Sequence, residues 1–285
     1  MTLLLIHTGG TIGMGPGPGG LFPVEGKLER AVEARLPKGT ELLAEVFAPL
    51  LDSADVGPAH WNRILDTISA HPEADVIVSH GTDTMAYTGA ALSQALAGSG
   101  RRVILCGAMV PLGMQGDAEA NLDLAIDAAR AASPGVWLAF DGRLWPAGAL
   151  VKTDSHAHAA FSTVPQAEAP PRAGIRFAER KLAVLTLTPG LPAAAIGAML
   201  SQLDAAVLRV FGAGTAMNDP AFLDVLSAAI NRGCRIRAVS QCLHGGLEPG
   251  AYAAGGCLWS AGVENGGTET PEAALIRLWL DLSAQ

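Results

Sequence analysis

The sequence predicts an α/β protein of two domains, with the larger domain first. Three observations lead there. Short, uninterrupted apolar runs alternate with longer helical patterns, as strands buried on both faces alternate with covering helices around a mainly parallel sheet. The chain has 285 residues, close to twice the ordinary domain length of about 150. A stretch without clear periodicity, holding Pro165, Pro170 and Pro171 among scattered charges, divides it. Residues 1–163 are expected to form an N-terminal α/β domain with helices flanking its sheet. Residues 164–180 are expected to be a linker, and residues 181–285 a smaller C-terminal α/β domain.

The first strand is expected at Leu3–His7, where Leu3, Leu4, Leu5 and Ile6 follow one another. A helical pattern covers Pro58–Ala70. The run Val76-Ile77-Val78 then places a strand at Val76–His80, followed by a helix over Thr84–Ala97. Val103–Gly107 and Val136–Phe140 read as strands for the same reason, with a helix at Asn121–Ala132 between them. Asp141-Gly142-Arg143 reads as a turn. Beyond the linker, strands are expected at Leu182–Leu187, Ala206–Val210 and Arg235–Ser240. Helices are expected at Ala193–Leu203, Pro220–Asn231 and Pro271–Leu282.

Composition narrows the function. Hydrophobic residues make up 49% of the chain and charged residues 16%, enough to bury a large core and to exclude a disordered chain. The formal charge is −8 with no basic run, which argues against nucleic acid or an anionic membrane as partner. No apolar stretch reaches the ~18 residues of a membrane span, and Met1-Thr2 leads into the first strand without a basic leader. Cys106, Cys234, Cys242 and Cys257 include no C-x-x-C pair. They match no usual zinc spacing and no disulfide framework, and a reducing, cytoplasmic setting is expected.

Two strands end alike. Leu3–His7 runs into Thr8-Gly9-Gly10-Thr11-Ile12-Gly13, and Val76–His80 runs into Gly81-Thr82-Asp83-Thr84-Met85. In a parallel α/β sheet, ligands bind outside the carboxyl ends of strands. Both turns place threonine hydroxyls and glycine-freed N–H groups at that edge. Thr82, Asp83 and Thr84 can each cap the helix that follows. A hydroxyl needs a base to attack an amide carbon. Asp83 is adjacent, and Lys152, in Val151-Lys152-Thr153-Asp154, is a cation in an otherwise apolar neighbourhood that could take the proton. His80 reads as a hydrogen-bonded structural residue. His156-Ala157-His158 would place two imidazoles on one side of a strand, but no matching His/Asp cluster appears with them.

Thr8-Gly9-Gly10-Thr11-Ile12 and His80-Gly81-Thr82-Asp83-Thr84-Met85 resemble the two signature motifs of the bacterial-type L-asparaginases, which use threonine nucleophiles. The resemblance runs nearly end to end. Leu51-Asp52-Ser53-Ala54-Asp55 is similar to the family's substrate-binding serine segment. Gly107-Ala108-Met109 with Asp117 and Asn121-Leu122 resembles the next loop and helix. Lys152-Thr153-Asp154 falls where the catalytic lysine is expected, and Phe211–Ala216 resembles the first loop of the C-terminal domain. Ser240-Gln241-Cys242 and Pro271–Leu275 look more like the cytoplasmic type I branch than the secreted one.

The resemblance implies hydrolysis of L-asparagine to L-aspartate and ammonia, with weak action on L-glutamine, and no metal or organic cofactor. It implies that Thr11 forms a β-aspartyl ester while Thr82, Asp83 and Lys152 move protons. Ser53 and Asp83 would hold the substrate's α-carboxylate and α-amino groups. Asp52, Gly10, Gly81 and Ala108 would line the same pocket, with oxyanion donors near Thr82 and Ala108. It further implies a homodimer or homotetramer with active sites at a subunit interface, to which Ser240 is a candidate contributor. The asparaginase-like subunit of tRNA-dependent amidotransferases shares this catalytic domain but carries a further N-terminal one, whereas this chain opens on the first catalytic strand.

One departure stands out. The family carries a tyrosine in the loop after the first motif, whose hydroxyl contacts the nucleophile. In this loop, residues 13–24, the matching position is Leu21, or Phe22 with a one-residue slip. Tyr87 and Tyr252 are the chain's tyrosines, and both lie elsewhere. A catalytically weak sensor of asparagine or aspartate is therefore the alternative expectation. The same loop matches G-x-G-x-x-G at Gly15, Gly17 and Gly20, but Pro16 and Pro18 lack the N–H donors that phosphate binding needs. A flexible lid is expected there instead.

Overall fold

A computed structural model describes residues 2–172, 174–250 and 253–285. The chain forms two compact units: Met1–Thr163 with Ala169–Arg176, and Val164–Glu168 with Phe177–Gln285. The first begins with β1 (Thr2–Gly9), the hairpin strands β2 (Met14–Gly17) and β3 (Gly20–Pro23), α1 (Lys27–Glu33) and β4 (Glu41–Leu51). It continues through α2 (Pro58–Ala70), β5 (Asp75–Ser79), α3 (Met85–Ala95), β6 (Arg102–Cys106) and α4 (Ala118–Ala131). It closes with β7 (Gly135–Phe140), β8 (Arg143–Pro146), β9 (Leu150–Lys152) and β10 (Phe161–Thr163).

The main sheet has the order β4-β1-β5-β6-β7-β8. All its pairs are parallel except β7–β8, which joins through the two-residue turn Asp141-Gly142. Both turn residues have positive φ, 52° and 69°, as a tight hairpin matched to strand twist requires. The central strands are continuous apolar runs because both faces are covered. On one face Leu3, Leu5, Ile77 and Ile104 meet Leu28 and Val32 of α1 and Leu122, Ala125 and Ala129 of α4. Opposite, α3 packs on β7 and against α2.

The second unit contains β11 (Leu182–Thr186), α5 (Ala193–Leu200), β12 (Ala205–Val210), α6 (Pro220–Asn231), β13 (Arg235–Ser240), α7 (Ala253–Ser260), β14 (Glu264–Asn265) and α8 (Pro271–Ser283). Its four-stranded sheet, in the order β11-β12-β13-β14, is parallel throughout. Ile196, Leu200, Phe222 and Leu226 fill its core, and α8 packs on β11, β12 and β13. Thr270 caps α8 by accepting the Ala273 N–H at 3.1 Å, with Pro271 in the first turn.

The expected α/β class holds, and the expected strands and helices are present with ends displaced by at most three residues. The short strands β8, β9, β10 and β14 and the helix α7 lie outside the expectation, and four further features differ from it. β4 was hidden because Glu41, Glu45 and Pro49 interrupt its apolar run; as an edge strand it exposes one side, where charge and proline are tolerated. The short α1 rests on only two buried residues, Leu28 and Val32, four apart. Residues 14–23 of the expected lid pair as a β-hairpin, which the sequence did not predict. His156-Ala157-His158 lies in the exposed connection between β9 and β10, not on a strand.

Candidate active site

The sheet order sets β4, β1, β5 and β6 side by side, and because they are parallel their carboxyl ends make one ledge. The segments after these ends carry Ser53, Thr11, Thr82 with Asp83, and Ala108 respectively. Thr8 Oγ1 donates to the Ser79 carbonyl at 2.7 Å, tying the two threonine-bearing strands together. Thr84 Oγ1 donates to the Ser53 carbonyl at 2.6 Å, fastening the second motif to the turn after β4.

Two glycines make the ledge possible. A β-carbon on Gly10, whose φ is 92°, would lie 2.6 Å from the Gly81 nitrogen. One on Gly81 would lie 2.8 Å from both Cβ and Oγ of Ser53. The first two segments therefore touch backbone to backbone, and the Ser53 side chain packs directly on Gly81, leaving no room for a side chain at either glycine. Ser53 is buried, whereas the Asp52 carboxylate accepts the Ala54 N–H at 2.9 Å and so shapes its own turn.

Lys152 arrives from outside the main sheet, at the end of β9, where it pairs with Phe161 of β10. Its Nζ donates to Thr82 Oγ1 at 2.8 Å and to Asp83 Oδ1 at 2.6 Å. The lysine side chain is 14% exposed and the aspartate 74%, so the pair adds little to stability; its interest is chemical. The approach depends on Gly89 of α3, where a β-carbon would stand 2.5 Å from the Ala147 carbonyl oxygen. The segment leading into β9 thus lies directly against the helix. The edge-to-face contact of Phe140 with Phe161, 5.1 Å between centroids, holds β10 from behind.

Beneath the second motif runs a buried chain of hydrogen bonds. The Trp61 indole N–H donates to Thr88 Oγ1 at 3.0 Å, and Thr88 Oγ1 lies 2.9 Å from His80 Nε2. His80 Nδ1 lies 2.7 Å from the Gly81 carbonyl. An indole only donates and a carbonyl only accepts, so the threonine proton points to Nε2 and the imidazole proton sits on Nδ1. Burial pushes the His80 pKa from 6.5 down to about 4, against the opposing pull of the Gly81 carbonyl. The ring is therefore a neutral support for the Gly81-Thr82 turn.

Asp117 does the same for the loop after β6. Its carboxylate accepts the Met109 N–H at 2.9 Å and the Val110 N–H at 2.9 Å, and Asn121 Nδ2 at 3.0 Å. Asn121 also donates to the Gly107 carbonyl at 3.0 Å. Asp117 stands at the N-cap of α4 without capping it, because its oxygens serve this loop. Burial, and then the Asp117 charge, push the Cys106 thiol up to about 12, which makes it inert. Replacing Asp117 by asparagine turns one acceptor toward N–H groups as a donor. A stability loss of about 1–3 kcal/mol is expected, measurable by urea unfolding.

Other candidates belong to other elements. Ser240 belongs to the second unit, where its hydroxyl donates to the Gly212 carbonyl at 2.7 Å and accepts the Cys242 N–H at 2.9 Å. Leu21 and Phe22 stand on the hairpin, 46% and 45% exposed. Tyr87 lies within α3, and Tyr252 lies outside the described residues. Gly15, Gly17 and Gly20 sit on hairpin strands rather than at a helix start. The Trp61–Thr88–His80 chain and the role of Gly89 escape a reading of the sequence, since each joins elements through space. Their only signal is polar or small residues on otherwise apolar helix faces.

Two parallel α/β units, the first with threonines, an amine and a carboxylate gathered on its carboxyl ledge, define an α/β enzyme of two parts. The "Asparaginase, N-terminal" family model matches residues 2–179, and the "Glutaminase/Asparaginase C-terminal domain" model matches residues 181–285. The chain belongs to the asparaginase family. It is 33% identical to L-asparaginase 1 of Escherichia coli strain K12, over 100% of this chain and 92% of that protein. Among solved structures it is similar to the thermostable L-asparaginase from Thermococcus kodakarensis, with a TM-score of 0.87 and 28% identity, covering 100% of this chain and 94% of that one. It is likewise similar to L-asparaginase I from Vibrio cholerae, with a TM-score of 0.86 and 32% identity, covering 99% and 92%.

Proposed function

We propose that this chain hydrolyses the side-chain amide of L-asparagine to L-aspartate and ammonia through a threonine ester. The observation that carries the reading is Lys152 Nζ within hydrogen-bond distance of both Thr82 Oγ1 and Asp83 Oδ1, on the ledge that also bears Thr11. The L-asparaginases to which the chain is similar supply the substrate.

In this reading the Thr11 hydroxyl adds to the amide carbon, and its proton passes to the departing nitrogen. Backbone N–H groups near Thr82 and Ala108 hold the oxyanion, each worth about 3–4 kcal/mol when well placed. The C–N bond breaks, ammonia leaves, and a β-aspartyl ester remains on Thr11. Water then adds to the ester. Its proton is relayed through Thr82 and Lys152, which Asp83 holds, toward the Thr11 oxygen. Collapse returns a proton to Thr11 and frees aspartate. Ser53 and Asp83 meet the substrate's α-carboxylate and α-ammonium, opposite charges that a hydroxyl and a carboxylate suit. Glutamine, one methylene longer, is discriminated by only about 1–3 kcal/mol, so weak glutaminase action belongs to the same proposal.

The test is ammonia release from L-asparagine and L-glutamine, from micromolar to tens of millimolar substrate. Turnover on asparagine exceeding that on glutamine is the expected result. Leu21, which brings no hydroxyl to the hairpin, favours a second reading, a sensor that binds asparagine without turnover. Calorimetric binding of asparagine without ammonia release would select that reading. Neither binding nor turnover would sink both.

A further inference from the structure

We propose that His7 is a positioning residue for this reaction, oriented by Glu29 and supporting from below the turn that carries Thr11; the inference rests on the role given to Thr11 above. Along β1, His7 falls on the same side as Leu3 and Leu5, the face packed against α1. It is 1% exposed, and its Nδ1 lies 2.7 Å from Glu29 Oε1. A carboxylate oxygen accepts, so the Nδ1 side of the ring donates to Glu29 and Nε2 faces away from it. Nε2 is buried with no hydrogen-bond partner among the described residues, and so is Glu29 Oε2.

The ring edge meets the backbone of the nucleophile turn. A β-carbon on Gly13 would lie 3.1 Å from His7 Nε2 and 3.2 Å from Cε1. A residue needed only to fill this space would be apolar, as neighbouring Leu5, Ile12 and Leu28 are. A polar pair with two buried atoms left unpartnered among the described residues costs the fold stability that a hydrocarbon would not. Such groups persist where something other than stability requires them.

The requirement follows from what the hairpin lacks. Leu21 and Phe22 offer Thr11 no hydroxyl, so the orientation of Thr11 is set by its own turn. That turn is held on other sides by backbone bonds: Leu112 N–H to Ile12 O at 3.2 Å and Val24 N–H to Gly13 O at 3.1 Å. Its own closing bond, Gly13 N–H to Gly10 O, is long at 3.4 Å. His7 is the side chain that limits how far the turn can sink, and Glu29 fixes the tilt of its ring.

Steady-state ammonia release by the full chain decides it, with His7→Phe, His7→Asn, Glu29→Gln and Gly13→Ala beside the wild type and folding checked by thermal melts. A misplacement of the nucleophile by about 1 Å can cost 10²-fold. Accordingly, His7→Phe should lower kcat about 10- to 10²-fold with KM within about twofold. His7→Asn keeps a donor for Glu29 and should recover part of that loss. Gly13→Ala leaves the His7–Glu29 pair intact but presses on the ring, and should lower kcat in the same way. If His7→Phe does not fold, His7→Asn and Gly13→Ala decide. Folded variants with wild-type kcat, or with KM and kcat changed together, would overturn the role of His7 while leaving the asparaginase reading standing. A wild type without turnover overturns both.

Discussion

Lys152→Met is expected to lower kcat on asparagine about 10²–10⁴-fold, the range one acid–base group supplies. Methionine keeps most of the side-chain volume beside α3 and removes the nitrogen that reaches Thr82 and Asp83. Thr82→Val should cost as much, because it deletes the oxygen at the other end of the same 2.8 Å hydrogen bond while preserving shape. The two changes together should cost little more than either alone, since groups that act as a unit are not additive. Thr11→Val should lie at the upper end of this range or beyond, because it removes the nucleophile proposed above. The experiment is ammonia release by each single variant and by the Thr82–Lys152 double variant. Multiplicative losses in the double variant would show that Lys152 and Thr82 work independently, contrary to the proton path proposed.

Acidification should destabilise the first unit by about 3 kcal/mol between pH 6.5 and pH 4. His80 titrates at about 4 in the folded chain, lowered from its ordinary 6.5 by burial. In that window the unfolded chain binds a proton that the folded chain refuses, so stability falls as pH falls. The contribution is complete above about pH 6.5 and gone below about pH 4. Glu272, in the second unit, has the opposite sign. Burial raises its pKa, so acid favours its folded form. Urea unfolding across this range should show the loss in wild type and a flatter profile in His80→Gln, which keeps a neutral side chain that can donate to the Gly81 carbonyl. An equal slope in both would remove His80 as its source.

Much of this molecule is legible along the chain. The central strands announce themselves as uninterrupted apolar runs, because a strand covered on both faces has no side left for polar residues. Both threonine turns are visible as Gly-Thr segments following such runs, and Lys152 as a cation in an apolar stretch. β4 and the 14–23 hairpin are not visible: an edge strand and an exposed hairpin have little burial to impose a pattern, and Gly15, Pro16, Gly17 and Pro18 read as coil.

By itself, then, the sequence determined the fold class and the chemical groups available, since these follow from local composition and spacing, and its two threonine motifs carried the resemblance to the family. Only the tertiary structure decided which groups meet. Thr82 and Lys152 are 70 residues apart, and their contact depends on Gly89 admitting the segment before β9. His7 and Glu29 are 22 residues apart, and they meet because α1 folds back onto β1 after the hairpin. Contacts of this kind depend on strand order and on how closely backbones approach, and neither quantity is written in any local window of residues.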